Sequence, residues 1–396
     1  MIAPVVTNGA GTSWHSPGYA YNPDLCVMDD RIVIYTLQYL RALAVALVVM
    51  SHIAFKSSVV GHDVFDGFRI GASGVDIFFV VSGFVMAMIY TRSSLRDTAG
   101  MADFWVARFS RIFPLYWLVS TVALILFLAN PNLVNANSGP TSVWRSYTLM
   151  PTLQASSVQF LIGPGWSLSF ELYFYLLFSG VFLIGRKTAG LNIVTALLVL
   201  LAAGSITGMA TTYLLTSPLL LEFVAGMVIF RIYNAAQGRI PTAIGVTSIL
   251  LGLAGFVALN LPGNFVLAQR WWQAGLPAAF VVLGLLAFES RASRKPSPTL
   301  LLIGNASYAL YLVHVFVLGA ASRLFSMLSL RAWGTYAEAV FWLGTLAATV
   351  VVGCVVHVSV EKPLNRAVRR WFAPASTTRA AASSSMSGRE AEATST

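Results

Sequence analysis

Apolar residues recur along this chain in runs of about twenty, each closed by a charge, a proline or a glycine-containing turn. A run of that length crosses a hydrocarbon core of roughly 30 Å as a helix, because an α-helix rises about 1.5 Å per residue. Ten such spans can be marked, at 36–55, 71–90, 112–130, 166–184, 191–209, 213–231, 241–260, 271–289, 301–321 and 338–359. The fifth and sixth are separated only by the turn from Gly208 to Thr212. The alternation expected of barrel strands is absent, so the pattern predicts an all-α integral membrane protein, a bundle of about ten transmembrane helices. No internal repeat is visible.

Composition agrees, with 57% of the 396 residues hydrophobic and 10% charged and a mean hydropathy of +0.74, outside the range of ordinary soluble domains. The net charge of +10 does not describe a nucleic-acid surface, because the 25 Lys and Arg are scattered through short loops between apolar runs. Most of them fall in the leader, the even-numbered loops and the tail, and the positive-inside rule then predicts that both termini are cytoplasmic. Residues 1–32 form a polar leader and 373–396 a small-residue tail, both expected to be disordered and cytoplasmic, flanking one membrane domain over 33–372. The leader lacks a basic start followed by an apolar core, so no cleaved signal peptide is expected. Cys26 and Cys354 are too few and too far apart in context for a disulfide framework. The loop 131–165, with Trp144, Tyr147 and Phe160, is placed to lie over an outward-facing entrance.

Ionisable groups inside spans cost several kcal/mol each, so each calls for a partner or a function. They are Arg41, His52, Asp76, Glu171, Glu222, His314 and His357. In LQYLRALAVALVVMSHIAF, Arg41 and His52 are eleven positions apart, which puts both on one helix face about 16 Å apart. The alternating topology assigns Arg41 to the inner half, and His52, Asp76, Trp166 and Glu171 to one outer layer. Two readings of that layer stand: an ion-pair cluster holding helices in register, or a general-base site in which a carboxylate orients a neutral imidazole. On the inner side, Arg108 and Arg111 share a helix face at a spacing of three. Beside Arg41 they would suit a phosphate-rich ligand, or they are ordinary anchors to anionic lipid. His314, near Tyr308 and Tyr311, is read either as a packing residue or as a site residue. His357 and Glu361 are read as a structural pair.

These stretches together resemble a known family, the membrane-bound acyltransferase 3 family, whose members transfer acyl groups to extracytoplasmic glycans and related acceptors. The resemblance spans roughly residues 33–370. It is carried by Arg41 and His52 in the first span, GASGVDIFFVVSGF, ARFSRIFPLYW, GPGWSLSFELYFY, NASYALYLVH and VEKPLNR, in that order. It implies His52 as the catalytic base, a functional place for Glu171, and Arg41, Arg108 and Arg111 as holders of an acyl-CoA donor; Asp76 or Glu171 is then expected to orient His52. Trp166, Ser167, Tyr308 and His314 are the candidate substrate contacts. Gln38-Tyr39, where many members have Asp-Gly, is more similar to the exopolysaccharide-modifying branch.

The expectation is therefore a multi-pass enzyme of a bacterial inner membrane, an O-acyltransferase moving acetyl or another acyl group from cytoplasmic acyl-CoA to a hydroxyl of an exopolysaccharide, another surface glycan or a lipid-linked oligosaccharide. Acyl-CoA enters as co-substrate, with no permanently bound cofactor, no metal site and no nucleic-acid partner. Direct transfer and an acyl-enzyme route both remain open. The competing classes are a transporter of a glycan or lipid-linked precursor, with the ionisable layer as its pathway, and a membrane scaffold without catalysis.

Overall fold

The structure, a computed structural model, describes residues 34–59, 68, 70–93, 97–131, 140–150, 159–184, 187–206, 215–261, 266, 269–328 and 335–372. The leader 1–32 with Cys26, the tail 373–396 and much of the loop 131–165 lie outside the described residues. Among the described residues the architecture is helical, with an isolated bridge between Thr141 and Gln159. The helices of eight residues or more are α1 (Tyr35–Val59), α2 (Ser73–Arg92), α3 (Thr98–Ala129), α4 (Gly165–Ser179), α5 (Lys187–Ile206), α6 (Leu220–Ala235), α7 (Thr242–Asn260), α8 (Gly275–Leu286), α9 (Pro298–Asn305), α10 (Ser307–Met327), α11 (Thr335–Val356) and α12 (Lys362–Phe372).

Seven helical stretches among the described residues are long and apolar enough to cross a membrane, at 35–56, 73–92, 98–129, 165–184, 242–260, 307–327 and 336–372. This is a multi-pass helical membrane protein. The fifth, sixth and eighth predicted spans correspond to shorter or broken helices. The apolar part of α5 covers 188–204, α6 has 16 residues, and α8 has 12 and follows a break at Ala274, where φ is −110°. Hydropathy finds each apolar run but does not see where its helix stops.

Helix α3 starts well before the apolar run that signals it. Asp97 caps it by accepting from the Gly100 N–H at 2.9 Å, which satisfies one of the amide donors left over at a helix start. Arg108 and Arg111 thus lie within a continuous 32-residue helix rather than at its beginning. At the other end of the chain, α11 passes through a π-helical turn at His357–Glu361 into α12. The His357 imidazole pairs there with the Glu361 carboxylate at 2.7 Å, the structural pair expected from sequence.

The most buried of the spans is α2, which packs against α1, α6 and α8. Its crossing with α6 is held close by glycines on both sides. A Cβ at Gly83 would run into the Phe223 carbonyl, and one at Gly226 into the Val80 carbonyl. Both positions need the missing side chain because backbone meets backbone. By contrast, α7 shows Leu250, Leu251, Leu253 and Val257 at its surface, the face such a protein turns toward lipid. The start of α1 is held from far along the chain, where the buried Glu289 carboxylate accepts the Tyr35 N–H at 2.9 Å and the Thr36 N–H at 2.8 Å.

Candidate active site

Arg41 and His52 sit on the same uninterrupted helix, α1, so the helical spacing that places them roughly 16 Å apart on one face applies without correction. At the arginine end, Arg41 is buried and its Nε donates to Ser307 Oγ at 3.1 Å, while one terminal nitrogen reaches Gln38 Oε1 at 3.4 Å. The adjoining helix starts in close contact, since a Cβ at Gly304 would collide with the Gln38 backbone. This brings α9 and α10 against the first turns of α1.

A cavity with about 1090 Å³ of non-atom space, open solvent at its mouth included, lies beside this end of α1. Arg41, Arg108, Arg111, Glu171, Ser167 and Tyr308 all line it. The arginines expected to act together are thus on one wall system, contributed by α1 and α3. Arg108 is buried, with its guanidinium 5.7 Å from the Tyr175 ring centroid and 6.0 Å from that of Phe104, the cation-over-ring arrangement that keeps a planar guanidinium in a fixed orientation. Glu171 accepts from Ser82 Oγ at 2.9 Å and from the Tyr175 hydroxyl. The Tyr308 hydroxyl donates to the Ile112 carbonyl at 2.7 Å, tying α10 to α3.

Glu171 therefore belongs with the arginines and not in a layer with His52. Helix α2 runs antiparallel to α1: the ideal Cβ of Gly71 would stand 2.6 Å from Ser51 Cβ, and that of Gly74 2.8 Å from Val48 Cγ2. Following this register, Ser82 and its partner Glu171 come level with the Gln38–Arg41 turn. Depth was misjudged from sequence because α4 does not begin at a surface. The segment before it is already inside, with Leu161 and Ile162 each 1% exposed and the Leu161 N–H satisfied by Ser146 Oγ at 2.8 Å. Irregular backbone at such a place is tolerated when it is buried in protein.

At the other end of the line, His52 is half-buried and its Nδ1 lies 2.9 Å from the Val48 carbonyl. A carbonyl only accepts, so a neutral His52 carries its proton on Nδ1 and presents a basic lone pair on Nε2. His314 repeats the arrangement, with Nδ1 at 2.8 Å from the Tyr311 carbonyl. The two rings meet edge to face with centroids 4.8 Å apart and an interplanar angle of 63°. His314 is 1% exposed and its Nε2 has no hydrogen-bond partner. The structure joins two histidines that sequence order left unrelated.

Asp76 takes a different partner from the one expected. Its carboxylate, fully buried, forms a two-point pair with Arg270, at 3.1 Å to Nε and 2.8 Å to a terminal nitrogen. The Arg270 guanidinium also lies 5.3 Å from the Trp166 ring centroid, and Glu222 is buried beside the pair. Gly275 leaves room for that side chain, as a Cβ there would stand 2.8 Å from Glu222 Oε1. Thus neither Asp76 nor Glu171 holds the His52 tautomer. The Val48 carbonyl does, from within the same helix. Trp166 is a platform for Arg270.

Two residues of the site were not visible as such in the sequence. Arg270 reads as a loop cation between two spans, although the adjoining Trp271 and Trp272 and the lack of a cation for Asp76 were signals. Tyr311 is the other. It lines the cavity, and its hydroxyl lies 2.6 Å from Ser167 Oγ and 3.2 Å from the Pro164 carbonyl. It stands between the arginine cavity and the histidine pair, with its ring 6.0 Å from that of His314.

A cavity walled by three guanidiniums lies at one end of α1, and a basic imidazole nitrogen outside that wall lies toward the other, an arrangement suited to holding a polyanion and deprotonating a hydroxyl. Comparison with known proteins gives the reaction class. Residues 34–358 match the acyltransferase domain family Acyl_transf_3. The exopolysaccharide production protein ExoZ of Rhizobium meliloti is 34% identical over 307 residues, which is 76% of this chain and 91% of ExoZ. The acyltransferase MdmB of Streptomyces mycarofaciens is 29% identical over 384 residues, 87% of this chain and 95% of MdmB. The O-acetyltransferase OatA of Staphylococcus aureus is 28% identical over 276 residues, 62% of this chain and 45% of OatA. No solved structure matches. With the family matched over most of its length, and with its helices built to cross a membrane, this chain belongs to the acyltransferase 3 family and is an O-acyltransferase.

Proposed function

We propose that this enzyme moves an acyl group, acetyl in the first place, from cytoplasmic acyl-CoA to a hydroxyl of an exopolysaccharide, another surface glycan or its lipid-linked precursor, in a bacterial inner membrane. The observation that carries the proposal is the line on α1. It runs from an arginine-walled cavity to a histidine whose Nε2 is left basic. Arg41, Arg108 and Arg111 bind the donor's phosphates, because guanidinium forks match phosphate oxygens. The donor's long pantetheine arm carries the thioester toward His52, which takes the proton of the acceptor hydroxyl as that oxygen attacks the thioester carbon directly. No metal and no resident cofactor take part. The glycan acceptor is supported by the resemblance to ExoZ, whose name ties it to exopolysaccharide production, and acetyl by the resemblance to the O-acetyltransferase OatA.

The topology belongs to the same proposal. Ten crossings, completed by α5, α6 and the α8 segment, place both termini and the arginine end of α1 in the cytoplasm, in keeping with the distribution of Lys and Arg among the loops. The membrane domain covers 33–372, between a polar leader and a polar tail.

The test is labelled acetyl-CoA supplied to inside-out membrane vesicles, with base-labile acetate on the glycan as the readout. His52→Ala is expected to lower transfer by about 10²- to 10⁴-fold, the usual contribution of a general base. Retained transfer by the correctly inserted variant would sink the base assignment. A deletion strain is expected to make polymer that lacks acetyl groups; loss of the polymer itself would point to export instead.

A further inference from the structure

Attack of a hydroxyl on a thioester places a full charge on the carbonyl oxygen, and a donor aimed at that oxygen is a large part of acyl-transfer catalysis. We propose that the Tyr311 hydroxyl, backed by Ser167, is this donor. The proposal rests on the thioester donor and the His52 base described above and adds to them the group that receives the oxyanion.

Three oxygens form a closed triangle at the wall of the cavity. Ser167 Oγ and the Tyr311 hydroxyl are 2.6 Å apart, and they lie 3.1 and 3.2 Å from the Pro164 carbonyl oxygen. Two hydroxyls carry two protons between them, so they can make only two of the three bonds. One hydroxyl donates to the other across the short side, and the remaining proton rests on Pro164 across a long one. That resting bond is easily exchanged. The Pro164 carbonyl also accepts the Ser167 backbone N–H at 3.3 Å, so it keeps a partner when the hydroxyl turns away. The triangle is therefore a donor whose proton is parked on an acceptor that does not need it.

Its surroundings fit an oxyanion. Both Tyr311 and Ser167 line the arginine cavity, and both are buried. Pro164 immediately precedes the 15-residue helix α4, whose amino-terminal end is the positive pole of its dipole. Ring-to-ring steps of 4.8 and 6.0 Å lead from His52 through His314 to Tyr311.

The step balances as follows. The acceptor O–H gives its proton to His52 Nε2, and its oxygen bonds to the carbonyl carbon. The carbonyl π pair moves onto oxygen, where Tyr311 O–H donates to it. Collapse re-forms the carbonyl and breaks the C–S bond, and the departing thiolate takes the proton from the His52 imidazolium. Tyr311 keeps its own proton throughout and turns back to the triangle.

Tyr311→Phe removes the hydroxyl and keeps the ring. In vesicles titrated with acetyl-CoA it is expected to lower the maximal transfer rate by about 10²- to 10³-fold, the loss seen on removing one such donor, with KM for acetyl-CoA within about twofold of the parent. Binding of CoA itself, which has no acyl carbonyl, is expected to be unchanged in the purified full-length protein; this also reports that the variant is folded. Ser167→Ala is expected to lower the rate less, and Ser167→Thr, which restores a hydroxyl, to recover it. A rate near the parent's, a loss that appears only in KM, or a loss of CoA binding overturns the assignment. If His52→Ala is inactive while Tyr311→Phe is active, only the oxyanion role fails; if both are active, the base and the transfer route fail with it.

Discussion

The two ends of α1 are built on opposite plans. Around Arg41 polar groups are dense and interlocked: Gln38 and Ser307 on Arg41, Ser82 and Tyr175 on Glu171, two rings against Arg108. Around His52 they are sparse. Each histidine makes one hydrogen bond to a backbone carbonyl, and the buried Nε2 of His314 makes none. A charge receptor needs many oriented dipoles, whereas a base must keep its lone pair unspent. Between the two ends, Asp76 and Arg270 neutralise each other, which keeps a strong charge from reaching the imidazoles.

The largest effect expected from breaking this division comes at that neutral middle. Asp76→Asn leaves the Arg270 guanidinium buried against a neutral side chain, and breaking such a pair costs about 3–5 kcal/mol. Thermal unfolding in detergent is expected to show it as a strongly lowered midpoint. Unchanged stability with lost transfer would instead make Asp76 a servant of His52 and erase the contrast. Next in size, Arg108→Gln is expected to raise KM for acetyl-CoA by about 10- to 150-fold, the equivalent of one charge-assisted bond of roughly 1.5–3 kcal/mol, at an unchanged maximal rate. A fall in maximal rate at constant KM would move Arg108 from the donor's phosphates to its reacting end. Smallest, Glu289→Ala removes the acceptor from the first amides of α1 and is expected to cost about 0.5–2 kcal/mol, as loss of a helix cap does. Guanidinium or thermal melts of the two proteins measure it, and no change would mean that α1 starts independently of that carboxylate.

Much of this was legible in the sequence. Arg41 and His52 are on one face because helical spacing is fixed, and Arg108 and Arg111 join Arg41 at one cavity, as their shared assignment to the inner side implied. Apolar runs located every major helix. What the runs could not supply was depth. Glu171 lies six residues inside α4, but α4 begins from a buried segment, so counting from its first residue placed the carboxylate in the wrong layer. Partners across the bundle were equally hidden. Asp76 and Arg270 are separated by 194 positions, and the tryptophans beside Arg270 and the missing cation for Asp76 hint at a partner without naming it. The same holds for Tyr311 and Ser167, whose pairing depends on the register of two helices that never follow each other in the chain.

The hold on α1 from its distant partners has a consequence for how the protein is made. The helix leaves the ribosome long before its partners: Glu289, Ser297 and Ser307, which bind its Tyr35, Tyr39 and Arg41, are 254, 258 and 266 residues further on. At about 5–20 residues per second, synthesis takes on the order of tens of seconds to deliver them. During that interval the arginine end of α1 is an unfinished helix end in the membrane, and a product truncated after the first two thirds of the chain carries Arg41, Arg108 and Arg111 but lacks Ser307, Tyr308 and Tyr311 from the cavity wall.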